Sequence, residues 1–256
     1  MNNFVKISSK ENEIIKHISG LQKSTKKRKD EGVFVLEGLR LCMDAVQNGY
    51  SPKTVIVSVS AMEKYANDIA LFNAEQSFLV PDSLFVKISD TVSPQGILCI
   101  YKMPQYDNFL DSTGKYIALE NLQDPSNLGA ISRTAEALGM SGIILQGGCD
   151  PYSSKSLRAS MGALLRIPVY QTENMFDLFN KYGLKTFAAV VNGESVKLGE
   201  IPFSQGCVAL IGNEANGLTA ETINASDVLL NIPMSGKAES LNAAVAASII
   251  MWEMCK

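Results

Sequence analysis

Histidine, the commonest metal-binding side chain, is scarce in this sequence, and its cysteines are not spaced as in a metal or redox motif. His17 is the only histidine in 256 residues, on a predicted helix with apolar neighbours. We interpret it as structural or surface-exposed rather than catalytic. No two of the five cysteines form a CxxC pair, which predicts reduced thiols, a cytoplasmic protein and no metal site. The cysteines are Cys42, Cys99, Cys149, Cys207 and Cys255.

Long apolar runs and dinucleotide-binding glycine motifs are also lacking. Residues 1–15 mix Asn, Lys and Glu with no apolar stretch, so we expect neither a signal peptide nor a membrane span. No GxGxxG follows an early strand with an acidic residue about 20 positions further on, which argues against a doubly wound nucleotide-binding enzyme. What is present is 46% hydrophobic residues, enough for a sizeable core in one large domain or two smaller ones.

Positive charge is concentrated near the N-terminus. The formal net charge of the chain is −3, which by itself argues against a nucleic-acid-binding protein. Residues 1–50, however, contain nine Lys or Arg and six Asp or Glu, a balance of +3, which leaves −6 for the other 206 residues. Five basic residues within seven positions are interpreted either as RNA phosphate contacts or as a solvated helix end. They are Lys23, Lys26, Lys27, Arg28 and Lys29.

Apolar periodicity predicts two α/β modules. Helical spacing around Ile14, Ile15 and Ile18 precedes a β-rich segment at 33–36, and a polar helix is predicted around 62–72. Between 104 and 114 the periodicity is lost, so we place an N-terminal domain at 1–106, a linker at 107–114 and a second domain at 115–256. Apolar runs then alternate with helical patterns, which predicts a parallel sheet covered by helices on both faces. Further strands are predicted at 54–59, 77–80, 96–101, 116–119, 142–145, 167–170, 186–191, 207–211 and 228–232.

Two strand ends and a helix start are predicted to converge in the C-terminal third. The apolar run 207–211 ends in a glycine-bounded loop at 212–217. A second run, 228–232, stops at a proline, after which Ser240 or Asn242 can cap an Ala-rich helix. Loops and helix N-termini at the carboxyl edge of a parallel sheet offer unpaired polar groups to a ligand. The sequence therefore predicts a ligand-binding site at this edge.

Three ordered motifs resemble those of the SpoU (TrmH) family of the SPOUT superfamily. They are 127–133 (NLGAISR), 210–218 (LIGNEANGL), and 232–236 (IPMSG) followed by 240–242 (SLN) and a small-residue helix. Three such motifs over about 130 residues are far more specific than a lone glycine pattern. The segment 26–38 (KKRKDEGVFVLEG) resembles the ribosomal-protein-like domain that grips RNA ahead of the catalytic domain in many family members.

The resemblance implies an RNA ribose 2′-O-methyltransferase that uses S-adenosylmethionine. No catalytic metal is expected, because the sulfonium of that cofactor is already an activated methyl donor. The implied cofactor-binding residues are Leu210, Ile211, Gly212, Glu214, Ile232, Pro233, Met234, Leu241 and Asn242. The implied catalytic residues are Arg133, Asn127, Glu214, Ser240 and Asn242.

Arg133 is the residue that we expect to act on the ribose hydroxyl. If Asn127 caps a helix that starts at Leu128, Arg133 lies near its second turn, within reach of the strand ends. A guanidinium, with a pKa above about 12, hardly deprotonates, so stabilisation of the developing alkoxide is favoured over literal base catalysis. A phosphate-contacting or surface role is the alternative. Arg158 is interpreted as a further phosphate contact or as part of a solvated helix face.

The resemblance also implies a deep trefoil knot in the C-terminal domain and a homodimer formed through that domain. RNA is the expected partner, ribosomal RNA in particular because of the RNA-gripping domain, and no membrane partner is expected. Two alternatives stay open: a tRNA 2′-O-methyltransferase of the same family, and a catalytically idle RNA-binding or ribosome assembly factor. The joint presence of the five implied catalytic residues argues against the idle factor.

Overall fold

The chain folds into two compact units. The computed structural model describes residues 4–106, 109–191 and 195–256. The first unit comprises the residues up to Gln105 together with Tyr152–Arg158, and the second comprises Tyr106–Pro151 and Ala159–Lys256. The predicted linker begins with Asp107 and Asn108, which lie outside the described residues, so the exact domain limits stay a prediction. The return of 152–158 to the first unit was not indicated by the sequence.

The first unit is built on a mixed five-stranded sheet. Its strands are β1 (Val5–Lys6), β2 (Val33–Glu37), β3 (Pro52–Ser58), β4 (Gln76–Val80) and β5 (Ile97–Lys102), in the order β1-β4-β3-β5-β2. β5 runs antiparallel to both of its neighbours, whereas β1, β4 and β3 are parallel. Its helices are α1 (Glu13–Lys23), α2 (Thr25–Glu31), α3 (Leu39–Gln47), α4 (Val59–Lys64), α5 (Ala66–Ile69) and α6 (Asp82–Ile88).

The helical spacing around residue 14 corresponds to α1, whose buried face is Ile15, Ile18 and Leu21. The single helix predicted around 62–72 is wrong in extent. The hydroxyl of Ser58 accepts from the backbone N–H of Ala61 at 3.3 Å, so α4 already begins at residue 59. The helix then breaks at Tyr65, where φ is −123°, and α5 follows as a separate turn.

The second unit contains a seven-stranded sheet in which every pair of neighbours is parallel. Its strands are β6 (Lys115–Glu120), β7 (Gly142–Gln146), β8 (Val169–Thr172), β9 (Lys185–Ala189), β10 (Val196–Lys197), β11 (Cys207–Ile211) and β12 (Val228–Asn231). Its helices are α7 (Pro125–Ala137), α8 (Ser154–Ala159, shared with the first unit), α9 (Met175–Tyr182), α10 (Ala220–Ala225) and α11 (Ala243–Met254), with a 3₁₀ turn at Ala163–Leu165. The predicted parallel sheet is confirmed, and the predicted strands are shifted by at most two residues at their ends.

The strand order brings distant segments to one edge of this sheet. The order is β10-β12-β9-β11-β6-β7-β8, so that β11 lies between β6 and β9. After β12 the chain reaches α11, which packs against α7. The carboxyl ends of parallel strands share one edge, so the loops after β9, β11 and β12 lie together there.

No helix in the described ranges has the length and apolarity needed to cross a membrane. Nor does the described part of the chain contain a group of three or more His, Cys, Asp or Glu side chains placed to hold a metal ion.

Candidate active site

The first motif lies at the start of α7, but the helix begins earlier and has a different capping residue than the sequence predicted. The helix begins at Pro125, and its cap is Asp124, whose carboxylate accepts from the backbone N–H of Ser126 at 2.8 Å. A proline in the first turn behind an aspartate is a stronger start signal than the later asparagine. The prediction that Asn127 caps this helix is therefore wrong. Asn127 is buried inside the first turn, where its side chain has other partners.

The second motif forms a tight loop after β11. Asn213 and Gly217 exchange backbone hydrogen bonds of 3.0 and 2.9 Å, and the side chain of Asn213 accepts from the N–H groups of Ala215 and Asn216. Gly217 has a φ of 68°, which favours glycine. A Cβ on Gly212 would lie 2.0 Å from the carbonyl carbon of Gly217, so no other residue fits at this position. The loop is thus closed on itself by its own backbone.

Glu214 projects from this loop to the start of α7. Its carboxylate accepts from the backbone N–H groups of Gln123 at 3.0 Å and Asp124 at 2.9 Å, and from the side-chain amide of Asn127 at 3.0 Å. Burial alone would raise the pKa of Glu214, but these three hydrogen bonds together hold the pKa below its ordinary value. The carboxylate is therefore ionised at neutral pH and is used to hold two chain segments together.

The third motif joins the same arrangement through Asn242. Its side-chain oxygen accepts from the N–H groups of Ala244 and Val245, which confirms Asn242, rather than Ser240, as the cap of α11. Its side-chain amide donates to the side-chain oxygen of Asn127 at 3.0 Å. The three motifs are thus linked side chain to side chain. We call these three side chains, joined by hydrogen bonds in the order Asn242, Asn127 and Glu214, the amide–carboxylate chain.

A cavity of about 450 Å³ lies at this edge of the sheet. The ends of β9, β11 and β12, the 212–217 loop and the start of α11 line it. The predicted cofactor or catalytic residues that line it are Ile211, Gly212, Glu214, Ile232, Met234, Ser240 and Leu241. The second motif and its loop also contribute Asn213, Ala215, Asn216, Gly217 and Leu218 to the lining. Lining residues that sequence reasoning missed are Ala189, Val190, Val191, Ile223, Leu229, Leu230, Ala243 and Ala246.

Three predicted cofactor residues lie outside the cavity wall. Leu210 is fully buried and packs in the core of the second unit, because side chains alternate between the two faces of β11. Pro233 is exposed, and the side chain of Asn242 is occupied by the cap and by Asn127. Direct cofactor contacts by these side chains are thus not supported by the geometry.

The cavity offers polar as well as apolar groups. Most of its wall consists of aliphatic side chains, which suits a flat heterocycle. The backbone N–H groups of Ile232 and Leu241 donate to no other residue within the described ranges. These two amides, which belong to residues of the cavity wall, are therefore open to an acceptor from outside the described residues, because an unpaired amide gains by any such bond.

Arg133 lies on α7 but not in the cavity wall. Its side chain is exposed, and it makes no hydrogen bond or ion pair with any residue that the structure describes. Glu214 does not contact Arg133 within the described residues, because its carboxylate accepts hydrogen bonds from the start of α7 instead. The hydroxyl of the neighbouring Thr134 forms a hydrogen bond of 3.0 Å with the hydroxyl of Ser248, which fixes α7 against α11.

Glu120 is a functional neighbour that sequence reasoning missed. This buried carboxylate, at the end of β6, accepts from the N–H and hydroxyl of Thr219 at 2.8 and 2.9 Å and from the hydroxyl of Thr222 at 2.7 Å. It thereby anchors the start of α10 directly after Leu218, a cavity residue. The one sequence feature that could have indicated this role is an acidic residue directly after the apolar run 116–119.

The predicted RNA-binding cations divide into exposed and occupied side chains. Lys23, Lys26 and Lys29 are exposed, and Lys27 is half-buried. Arg28 is 3% exposed, and its guanidinium donates to the carbonyl of Leu21 at 2.6 Å among other groups. The prediction that Arg28 contacts phosphate is therefore wrong, since it ties α2 to the end of α1.

Arg158 is occupied as well. Its two terminal nitrogens each lie 3.3 Å from Oδ2 of Asp90, within the first unit. The predicted phosphate contact would have to compete with this ion pair. Lys155, three positions before Arg158 on α8, is exposed.

The chain is similar to known RNA methyltransferases along its length. Residues 114–252 match the SpoU rRNA Methylase family, and residues 12–99 match the MRM3-like substrate binding domain. An uncharacterized tRNA/rRNA methyltransferase of Synechocystis sp. is 33% identical over 254 residues, which cover 96% of this chain and 92% of that protein. The 23S rRNA (guanosine(2553)-2'-O)-methyltransferase RlmP of Bacillus subtilis is 30% identical over 252 residues, with coverage of 97% and 98%. The crystal structure of an AdoMet-bound rRNA methyltransferase from Sinorhizobium meliloti has a TM-score of 0.85 at 32% identity, covering 98% of this chain and 97% of that one.

Proposed function

The chain belongs to the SpoU rRNA methylase family, and from this membership we propose that it transfers a methyl group from S-adenosylmethionine to a ribose 2′-hydroxyl of large-subunit ribosomal RNA. The observation that carries the proposal is the cavity of about 450 Å³ at which residues of the second and third motifs meet. The name of the Bacillus subtilis relative, which matches almost the whole chain, supports 23S-type RNA and the 2′-oxygen.

The cavity fits S-adenosylmethionine. Its volume of about 450 Å³ falls within the range of small-molecule sites, roughly 300 to 1,000 Å³. Leu218, Ile232 and Leu241 provide apolar walls for the adenine, and the open amides of Ile232 and Leu241 provide hydrogen bonds to its edge. These residues would hold the cofactor, which supplies a methyl group already activated as a sulfonium.

The chain's own residues then have to place a ribose oxygen in line with that methyl group and stabilise the charge it develops. The amide–carboxylate chain fixes the loops of the second and third motifs against α7 before any ligand binds, so little reorganisation is needed. We assign the electrostatic role to Arg133, whose guanidinium is exposed and unpaired among the described residues. It stabilises the alkoxide, while an RNA phosphate or water takes the proton.

We further propose a homodimer formed through the second unit. Val245, Ile249 and Trp252 recur at helical spacing on α11 and are all exposed. A stripe of this kind on a helix already packed against α7 favours burial against a second copy of the chain. Since α7 carries Arg133, the stripe supports a site close to the subunit interface.

The proposal also covers the RNA contacts of the first unit, the knot and the cellular location. Lys23, Lys26 and Lys29 anchor RNA phosphates without selecting bases, because they are exposed point charges. The strand order, with β11 inserted between β6 and β9, supports the trefoil knot expected for the family. The unpaired cysteines and the RNA substrate favour a cytoplasmic location.

Methyl transfer from labelled S-adenosylmethionine to total RNA from cells that lack the protein tests this function. We expect label in large-subunit ribosomal RNA, in a dinucleotide that resists alkaline hydrolysis because its 2′-oxygen is blocked. Label in transfer RNA alone would favour the tRNA enzyme of the same family, and label on a base would refute ribose methylation. Binding of cofactor and RNA without any transfer would favour an idle RNA-binding factor.

A further inference from the structure

Val92 is the most exposed large hydrophobic side chain in the described part of the chain, with complete exposure. It lies in the loop between α6 and β5, in the first unit. Exposure of one valine is common on protein surfaces. The features of interest are how firmly this loop is held and which charges surround it.

Two anchors hold the loop against the end of β2. The buried carboxylate of Glu37 accepts from the hydroxyls of Ser89 and Thr91, at 2.5 and 2.6 Å, and from the backbone N–H of Asp90 at 2.9 Å. On the other side of Val92, the side-chain oxygen of Gln95 accepts from the N–H of Leu39 at 2.9 Å. Val92 is thus presented to solvent by a loop that is fixed on both sides.

The charged groups next to this loop leave a positive surface. Arg40, directly after Leu39, is exposed and makes no hydrogen bond or ion pair with another residue in the described ranges. Lys155 is likewise exposed and unpaired there. It adjoins Ser154, whose hydroxyl donates to Asp90. The negative charge of Asp90 is matched by Arg158, and the carboxylate of Glu37 is buried beneath the loop.

We propose that Arg40, Val92 and Lys155 form an RNA-binding surface, the Val92 surface, which holds an unpaired nucleotide of the substrate. This rests on the proposed function. Val92 packs against the face of an unstacked base, and Arg40 and Lys155 bind the phosphates on either side of it. A fully paired duplex offers Val92 no such face, because its bases are stacked on each other. The match of residues 12–99 to a substrate binding domain supports RNA rather than protein as the partner.

The Val92 surface is distinct from the cations at 23–29. Those residues precede the start of β2, whereas Arg40 follows its end. A strand of five residues spans about 16 Å at roughly 3.3 Å per residue. The two groups of cations therefore lie at opposite ends of β2, and an RNA that contacts both must extend over that distance.

RNA binding by single variants tests the Val92 surface, with large-subunit ribosomal RNA from cells that lack the protein as the probe. Val92→Ser should weaken binding by about tenfold without altering the salt dependence, because it removes only apolar contact. Val92→Leu should retain binding. Arg40→Gln combined with Lys155→Gln should flatten the slope of log affinity against log salt concentration by about 1.4 to 1.8, since each phosphate contact contributes roughly 0.7 to 0.9.

Matched controls use exposed residues of the same unit away from this loop. Leu71→Ser removes another exposed apolar side chain, and Lys10→Gln removes another exposed cation, so both should bind RNA as the wild type does. S-adenosylmethionine affinity and thermal stability should be unchanged in all variants. A hairpin with unpaired loop nucleotides should compete for the wild type, whereas a fully paired duplex of equal length should compete poorly.

The outcomes separate the two proposals. If the wild type transfers methyl groups but the Val92 surface variants bind RNA like the controls, this inference is overturned and the proposed function stands. If the variants lose RNA affinity while the wild type transfers no methyl group, the surface stands and the proposed function fails. Equal competition by duplex and hairpin would overturn the unpaired-nucleotide part.

Discussion

The side-chain amide of Asn127 donates to the carboxylate of Glu214 at 3.0 Å, although 87 positions of sequence separate the two residues. The same asparagine accepts from Asn242, 115 positions away. One side chain thus connects the first turn of α7, the loop after β11 and the cap of α11. A substitution at any member of the amide–carboxylate chain should therefore change the shape of the cofactor cavity.

Glu214→Gln should weaken S-adenosylmethionine binding and remove part of its pH dependence. The pKa of Glu214 is lower in the folded protein than its ordinary value of 4.5. Its contribution is therefore fully present above the ordinary value and is lost as the pH falls through the folded pKa. Calorimetric titrations of wild type and variant between neutral and acidic pH measure this. Identical acid-side profiles would contradict the bracing role of Glu214.

Gly212→Ala should abolish cofactor binding by distorting the loop rather than by blocking the ligand. The new Cβ would lie 2.0 Å from the carbonyl carbon of Gly217 and 2.1 Å from the backbone nitrogen of Leu218. Backbone atoms cannot yield as the end of a flexible side chain can. Gly236→Ala is the matched control, because a Cβ at Gly236 meets no atom within 4 Å. Unchanged calorimetric affinity in a folded Gly212→Ala protein would refute this account.

Arg133→Ala should lower turnover by about 10²- to 10³-fold, as loss of an oxyanion stabiliser typically does. Cofactor affinity should be retained, because Arg133 does not line the cavity. Arg133→Lys should fail almost as badly, since an ammonium group lacks the planar fork of donors. Single-turnover methyl transfer and calorimetry measure the two effects. Arg166→Ala, which removes an arginine already paired with Glu136, is the control. A fully active Arg133→Ala protein would end the catalytic assignment.

Substitutions in the basic run 23–29 should alter either RNA binding or stability, depending on whether the side chain is exposed or buried. Replacing Lys23, Lys26 and Lys29 together by Gln should flatten the salt dependence of RNA binding by up to about 2 to 3 in log–log slope, with stability unchanged. Arg28→Ala should instead lower the free energy of unfolding by roughly 2 to 4 kcal/mol, because it leaves buried carbonyl groups without their charged donor. Urea denaturation and salt titrations distinguish the two. A stable Arg28→Ala protein with a flattened salt slope would restore the phosphate role.

Trp252→Asp should convert the proposed homodimer to a monomer. A charge in the middle of an apolar interface is desolvated without a partner, which costs several kcal/mol. Light scattering after size-exclusion chromatography measures the mass, with Val86→Asp as a control at an exposed apolar position of α6 in the first unit. A wild type that is monomeric at all accessible concentrations would refute the dimer directly.

The local parts of the fold were predictable because short segments encode them. The apolar run 207–211 is a strand because buried parallel strands require apolar side chains on both faces, and all five of its residues are buried. The cap of α11 was predictable to within two candidates, Ser240 and Asn242, since a polar side chain before an Ala-rich run satisfies free N–H groups. Both signals lie within a few residues of the feature that they specify.

The non-local parts were not predictable from such signals. The placement of β11 beside β9 brings Val190 and Val191 into the cavity wall, and no local pattern specifies the strand order. Arg28 sits in a run that is typical of a solvated surface, yet its guanidinium reaches a carbonyl seven positions earlier, across the turn between α1 and α2. These outcomes depend on tertiary packing, which overrides local composition.

The return of residues 152–158 to the first unit limits how the two halves of this gene can be separated or exchanged. The ring of Tyr152 lies 5.4 Å from the buried ring of Phe34 on β2, and the side chains of Ser154 and Arg158 both bind Asp90. A fragment cut after Gln105 would lack all three side chains, and a fragment that begins there would expose them without their partners. Domain swaps between relatives should therefore carry the 152–158 segment with the N-terminal half, as two exchanges rather than one.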